Sequence, residues 1–162
     1  MSKFRETKKE IIDSNKEKGD TAIEKGQELM DQLQDVKSLY DSIELEDDSD
    51  AEMVEALKDS YAEEGQETFQ SEVQEALDDA HQNLESNKSE ISAEKTNVED
   101  TAEKVAQMQG ITDIAKSSAS SVESALHTSI EDYVGMENET ETIESEQSTT
   151  AQNILSTIKS LF

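Results

Sequence analysis

The apolar residues of this chain recur at helical spacing along most of its length. Gaps of three or four residues place side chains on one face of an α-helix. In the second half of the first predicted helix, residues 3–44, such gaps separate the main apolar residues. These are Leu29, Leu33, Val36, Tyr40 and Ile43. The sequence has no proline and only 5 glycines, so little interrupts a helix. Because no alternating run of β-branched or aromatic residues indicates a strand, the pattern predicts an all-α protein.

The most regular pattern lies in the second helical stretch. Ser49 and Glu52 have the spacing of a capping box, which predicts that a helix begins beside them. Further along, apolar residues form a heptad repeat whose a positions are Leu77, Leu84, Ile91, Val98 and Val105. The d positions are Ala80, Asn87, Glu94, Thr101 and Met108. Because most d positions are small or polar, this seam by itself predicts only a weak two-stranded coiled coil.

Residues 86–89, Ser-Asn-Lys-Ser, leave two possibilities for this stretch. They are compatible with a turn that would fold the helix back on itself. We expect a continuous helix instead, and residues 50–109 would then span about 90 Å at about 1.5 Å per residue. Gly110 is a suitable residue for ending that helix.

The last third of the chain is less regular. Residues 137–150 are rich in Glu and Thr, and Ile143 is their one apolar residue, so they predict an acidic linker between two shorter helices. At this length one domain is expected. We therefore predict a single domain over residues 1–162, an elongated helical hairpin or bundle of three to four helices with a coiled-coil-like seam. The predicted helices are 3–44, 50–109, 112–136 and 150–161.

Charge and composition narrow the classes of partner. The chain holds 40 acidic and 14 basic residues, a formal charge of −26, which repels nucleic acid and anionic membranes. Cysteine is absent, which excludes disulfides and thiolate metal sites. No apolar stretch has the length of a membrane span, and the amino terminus lacks the apolar run of a signal peptide. We expect a cytoplasmic protein or one secreted without a leader.

Candidate chemistry is scarce in this sequence. Carboxylates occur throughout, so no pair stands out for acid–base catalysis. A helical di-metal site needs a glutamate three residues before each of two histidines. In this chain the residue three positions before His81 is Asp78, and the residue three positions before His127 is Ser124. Nucleophile triads and phosphate-binding glycine loops have no candidates. The sequence predicts no enzyme activity, no cofactor and no metal site.

Two short motifs resemble features of the small helical substrates and partners of type VII secretion, the WXG-like class. Tyr133-Val-Gly-Met-Glu137 is similar to the tyrosine–x–x–x–acid export signal of that class. Residues 57–73 resemble its turn and second helix, with Gly65 and Phe69 at the positions of its glycine and following aromatic residue. The tryptophan position is Glu63, so the Trp-x-Gly motif itself is missing. The resemblance implies a helical hairpin that is secreted without a leader, with Tyr133 and Glu137 read by the export machinery.

Together these features predict a non-enzymatic helical protein that binds other proteins. The a positions of the heptad would form its core or face a partner, or a second copy, through the helical seam. If the resemblance holds, the protein is a type VII-like substrate or the partner of a larger exported protein. The alternative is an acidic intracellular adaptor, or a mimic or immunity-type protein, that binds a basic partner.

Overall fold

The computed structural model describes residues 2–45, 47–111, 113–114 and 116–162, and nearly all of them are helical. Four α-helices follow in chain order: α1 (Lys3–Asp41), α2 (Asp48–Phe69), α3 (Glu75–Ile111) and α4 (Lys116–Leu161). A π-helical turn, Gln70–Gln74, joins α2 to α3. No strand occurs among the described residues. The predicted all-α fold of three to four helices is confirmed.

The continuous second helix is also confirmed. Residues 48–111 are helical throughout, so the turn considered at 86–89 does not form. The predicted capping box is wrong, because the helix begins at Asp48 and Asp47 is its N-cap. The backbone of Asp47 is extended, and its carboxylate accepts a hydrogen bond of 2.8 Å from the amide of Ser49. Such a bond satisfies one of the free amides at a helix start.

The predicted linker at residues 137–150 is wrong. This stretch lies inside α4, which runs unbroken from Lys116 to Leu161. Tertiary packing explains the difference, because Thr140, Ile143 and Gln147 are all buried at helical spacing. The Thr140 hydroxyl donates to the carbonyl of Met136, so a polar residue is buried with its hydrogen bond made. The predicted start of a helix at Thr112 lies outside the described residues.

The chain divides into two compact units. Unit 1 comprises Met1–Asn15 and Gln82–Ile143, and unit 2 comprises Lys16–His81 and Glu144–Phe162. Each unit contains parts of α1, α3 and α4, and α2 belongs to unit 2. The single domain predicted for residues 1–162 stays a prediction.

Each unit has its own apolar core. The core of unit 2 is built around Phe69, where α2 meets the π-helical turn, and Gly26 and Gly65 let neighbouring side chains approach closely. Buried residues of this core are Ala22, Leu33, Phe69, Val73, Leu77, Ala151, Ile154 and Ile158. The core of unit 1 is smaller and consists of Ile12, Leu84, Ile91, Tyr133, Met136 and Ile143.

Candidate interaction surfaces

The heptad seam of α3 changes character along its length. Leu77 is buried in the core of unit 2, and Leu84 and Ile91 are buried in the core of unit 1. Val98 packs against that second core but is only partly buried. Val105 is also partly buried, and Met108, the next d position, is 59% exposed. The seam therefore serves as core over its first half and becomes a surface toward the end of α3.

Tyr133 and Glu137, the pair that resembles an export signal, lie one turn apart on α4 in unit 1. Tyr133 is buried in the apolar core, with its ring edge-on to Phe4 at 6.1 Å between centroids. Glu137 forms a 2.6 Å ion pair with Lys95 and accepts a hydrogen bond from Ser92. Both side chains thus have structural partners within unit 1.

Burial also sets the acidity of Tyr133. Loss of contact with water raises the pKa of its phenol above the ordinary value of 10.0, and the charge of Glu94 adds to the effect. The positive charge of Arg5 and a hydrogen bond with Ser2 act in the opposite direction. The net shift keeps the phenol neutral in the folded protein.

In unit 1 the start of α1 lies in the groove between α3 and α4. Asn15 bonds Asn83 while Lys8, earlier in α1, pairs with Glu90, later in α3, so these helices are antiparallel. On the α4 side, Arg5 pairs with Asp132 and Lys9 lies 2.5 Å from Glu139, so α1 and α4 are parallel. Basic residues of α1 therefore meet acidic residues on both walls of the groove.

Beyond the start of α1 the same groove continues with apolar walls. α1 begins at Lys3, level with Asp132, whereas α3 and α4 extend further to their connecting loop. Gln109 and Glu123, 2.8 Å apart, hold these two helices together in that region. Between them is a groove of about 320 Å³. We call its apolar lining, together with the exposed Ile111 at the end of α3, the α3–α4 surface. It is defined by Val105, Met108, Ile111, Ile114, Ala119 and Val122.

A second group of exposed apolar residues lies in unit 2, around the loop between α1 and α2. We call it the α1–α2 surface and define it by Leu39, Ile43, Leu45, Met53 and Leu57, all of which are 41–69% exposed. The ring of Tyr40 packs edge-on against Phe162, and its hydroxyl accepts a 3.0 Å bond from the amide of Lys58. Through these two contacts Tyr40, near the end of α1, touches the middle of α2 and the residue that follows α4.

Comparison with protein-family models, with curated protein sequences and with solved structures finds no match to this chain.

The charges around the two surfaces differ sharply. Residues 41–55 contain eight acidic residues and no basic one. Residues 116–130, a window of the same length on α4, contain one lysine, Lys116, and one glutamate, Glu123, and no other Lys, Arg, Asp or Glu. The segment that carries one surface is thus strongly acidic, whereas the segment beside the other is nearly neutral and rich in serine.

Two other kinds of site are absent from the described residues. No group of three or more potential ligands is placed to hold a metal ion among them. None of the described helices combines the length and apolarity that a membrane crossing requires.

Sequence reasoning did not find the two surfaces, although it named several of their residues. Val105 and Met108 belong to the heptad seam, and the heptad pattern does not distinguish the covered part of that seam from the uncovered part. The usable signal was the difference in charge between the windows 41–55 and 116–130. A neutral, serine-rich stretch is unusual in a chain with a net charge of −26.

Proposed function

We propose that this chain is a non-enzymatic helical protein-binding factor that uses its α1–α2 surface to bind a partner protein. The observation that supports the proposal is the combination of five exposed large apolar side chains with a rim of carboxylates in unit 2. Monomeric proteins rarely leave large contiguous apolar patches uncovered, and such patches mark interaction sites.

The chemistry of the surface defines the partner. Apolar residues supply the energy of binding when water is removed from them. The surrounding acidic residues select a partner with a complementary basic rim and repel acidic competitors. The partner we propose is therefore a protein segment that carries apolar residues flanked by lysine or arginine, such as a basic amphipathic helix.

A peptide titration tests this proposal. The probe is a synthetic amphipathic helix of leucine and lysine, and its control is a leucine–glutamate helix with the same spacing. We expect the first to bind the full-length chain and the second not to bind. Binding of the first should weaken as NaCl rises from about 0.05 M to about 0.5 M, because salt screens attraction between opposite charges.

A pair of variants locates the binding. Met53→Glu places a charge in the α1–α2 surface, and Val134→Glu places the same charge at an exposed residue of α4 in unit 1. We expect the first to weaken peptide binding at least about tenfold and the second to leave it unchanged. Equal binding by the two variants, or equal binding of both peptides, would contradict the proposal.

The same titration separates docking from charge mimicry. A mimic or immunity-type protein would bind through its carboxylates, so its affinity for the peptide would fall steeply as salt rises. The loss of an apolar contact would leave that affinity nearly unchanged. We expect Met53→Glu to matter at every salt concentration. If Met53→Glu bound the peptide as tightly as the parent chain, and high salt abolished that binding, the result would favour a charge mimic.

We further propose that the chain is a type VII-like export substrate or partner, with Tyr133 and Glu137 as its signal. Glu137 is the residue to change, because replacement of the buried Tyr133 by alanine would disturb the core. The test compares secretion of Glu137→Gln with Glu141→Gln, which removes a similar ion pair to Lys88 one turn along α4. We expect only Glu137→Gln to reduce secretion. Equal secretion of the two variants, or no secretion of the parent chain, would remove the export proposal.

A further inference from the structure

The α3–α4 surface is the open part of a groove that α1 fills elsewhere in unit 1. Where α1 is present, its residues cover the seam, and Ile12, Leu84 and Ile91 are buried. Where α1 is absent, the same pair of helices presents Met108, Ile111 and Val122 to solvent, and they are 59%, 84% and 47% exposed. A two-helix segment with an open seam lacks the additional helices that complete a bundle core.

Charge argues against a basic helix as the missing element. The basic residues of α1 meet Glu90, Asp132 and Glu139. The uncovered part of α4, residues 116–130, has one acidic and one basic residue. On α3, the acidic residues Glu99, Asp100 and Glu103 fall outside the a and d positions of the heptad. The groove floor therefore offers apolar and hydroxyl groups and no excess of negative charge.

The same neutrality suits a second copy of this chain. Two chains of charge −26 repel each other, and they approach at least cost where few charges face the contact. Small residues on α4, among them Ser118 and Ala119, also allow close approach of a neighbouring helix. At physiological salt the Debye length is about 8 Å, so charges beyond the contact are largely screened.

The uncovered stretch is also complementary to itself. Met108 lies at the middle of the uncovered apolar residues of α3, with Val105 three residues before it and Ile111 three residues after it. Antiparallel pairing about Met108 brings Ile111 of one copy beside Val105 of the other, and Met108 beside Met108. The contacts of Gln109 with Glu123 and of Lys95 with Glu137 place Val122 of α4 about level with Met108 of α3. In the same arrangement Val122 therefore meets Val122 of the other copy. A two-fold contact of this kind uses one patch twice and closes on itself.

We infer that the α3–α4 surface is a dimer contact, in which two copies of this chain pair antiparallel about a two-fold axis near Met108 and Val122. Each copy contributes the ends of α3 and α4, and the product is a four-helix bundle with short loops. This inference concerns unit 1 and is independent of the partner proposed for the α1–α2 surface.

Molar mass in solution is the first test. We expect light scattering or sedimentation of the full chain to show a dimer, twice the chain mass of 18.0 kDa, at concentrations up to about 100 μM. Val122→Glu should raise the dimer dissociation constant at least about tenfold, because it places two carboxylates at the contact. Val134→Glu, at an exposed valine further along α4, should leave dimerisation unchanged.

A disulfide trap provides a second readout that does not depend on weakened association. The chain has no cysteine, so Val122→Cys introduces a single thiol next to the proposed axis. Mild oxidation should cross-link Val122→Cys to a covalent dimer much faster than Val134→Cys. A disulfide needs Cα atoms within about 7 Å, so rapid cross-linking reports the two-fold contact directly.

Salt distinguishes this inference from the proposed function. Dimerisation of like-charged chains should strengthen as NaCl rises, whereas binding of a basic partner should weaken. A chain of 18.0 kDa at every concentration and salt tested would overturn the dimer and leave the α1–α2 proposal intact. Equal effects of Val122→Glu and Val134→Glu, or equal cross-linking of the two cysteine variants, would also overturn it.

Discussion

The surface of unit 2 around the α1–α2 loop and the surface of unit 1 around the α3–α4 loop are both apolar, yet they are built differently. The α1–α2 surface belongs to a unit with a well-filled core, and Phe162, which packs against that core, also contacts Tyr40. The α3–α4 surface is itself an unfinished core, because the seam of α3 continues past the start of α1. Exposed apolar residues thus have two origins in this chain, and the charges beside them indicate different partners.

The largest expected effect comes from the cores beneath the two surfaces. Phe69 is 1% exposed in unit 2 and Ile91 is 0% exposed in unit 1. We expect Phe69→Ala to lower the free energy of unfolding by about 3–5 kcal/mol and Ile91→Ala by about 2–5 kcal/mol, because each leaves a cavity. Denaturant unfolding measures both losses.

Amide exchange then tests whether the units respond separately. We expect Phe69→Ala to raise exchange mainly in unit 2 and Ile91→Ala mainly in unit 1. Leu39→Ala, at a 69% exposed residue of the α1–α2 surface, is the control and should change stability by less than about 0.5 kcal/mol. A similar loss in Leu39→Ala would mean that this surface is part of the core.

Two glycines sharpen the contrast between filled and open regions. A Cβ on Gly65 in unit 2 would lie 2.8 Å from Cδ1 of Leu33, whereas a Cβ on Gly135 in unit 1 would meet nothing within 4 Å. Gly65→Ala should destabilise the protein by about 1–3 kcal/mol through overpacking. Gly135→Ala should stabilise it by about 0.5–1 kcal/mol through helix propensity. Thermal unfolding of the two variants would show opposite shifts, and shifts of the same sign would contradict this packing.

The start of α2, at the α1–α2 surface, offers a smaller effect. Asp47→Ala removes the carboxylate that accepts from the amide of Ser49 and should cost about 1 kcal/mol. Ser49→Ala should change stability by less than about 0.5 kcal/mol, because the Ser49 side chain is not the cap. If Ser49→Ala were the more harmful substitution, the capping box expected from the sequence would be correct after all.

The smallest expected effect on stability comes from the titration of Tyr133, because it appears only at alkaline pH. Burial raises the pKa of Tyr133 above 10.0 in the folded state, so the unfolded chain loses this proton first. The stability it contributes is complete below pH 10 and declines as pH rises through 10 toward the folded pKa. We expect Tyr133→Phe to lose less thermal stability than the parent chain between about pH 9 and about pH 11.

Tyr40 supplies the matched comparison in unit 2. Its pKa is also raised by burial, but the hydrogen bond from the Lys58 amide opposes the shift. Tyr40→Phe removes that bond as well, so its stability should fall at neutral pH, which Tyr133→Phe should not show to the same degree. Identical pH profiles for the parent chain and Tyr133→Phe would contradict a buried phenol in unit 1.

Much of the fold was predictable, because helix formation depends on local features. The absence of proline and the spacing of Leu77, Leu84 and Ile91 sufficed for a long continuous helix. The linker at 137–150 was mispredicted because Thr140 and Gln147 look like solvent-facing residues. Gln147 is instead buried, donating to the carbonyl of Lys16 and the carboxylate of Asp20. A polar side chain is buried only where partners exist, and those partners lie more than a hundred residues away in the sequence.

The candidate site was less predictable for a related reason. Sequence placed Tyr133 and Glu137 on one helix face, and that geometry is local. Whether a face meets solvent depends on which other helix reaches it, and here Phe4 covers Tyr133 while α1 stops short of Val105 and Met108.

The sequence by itself determined that the chain is helical and strongly acidic. The tertiary structure alone decided which apolar residues became core and which stayed at the surface. Periodicity assigns a residue to a face of its helix, but burial requires a second surface to exclude water from that face. Only the arrangement of α1 against α3 and α4 specifies where that second surface ends.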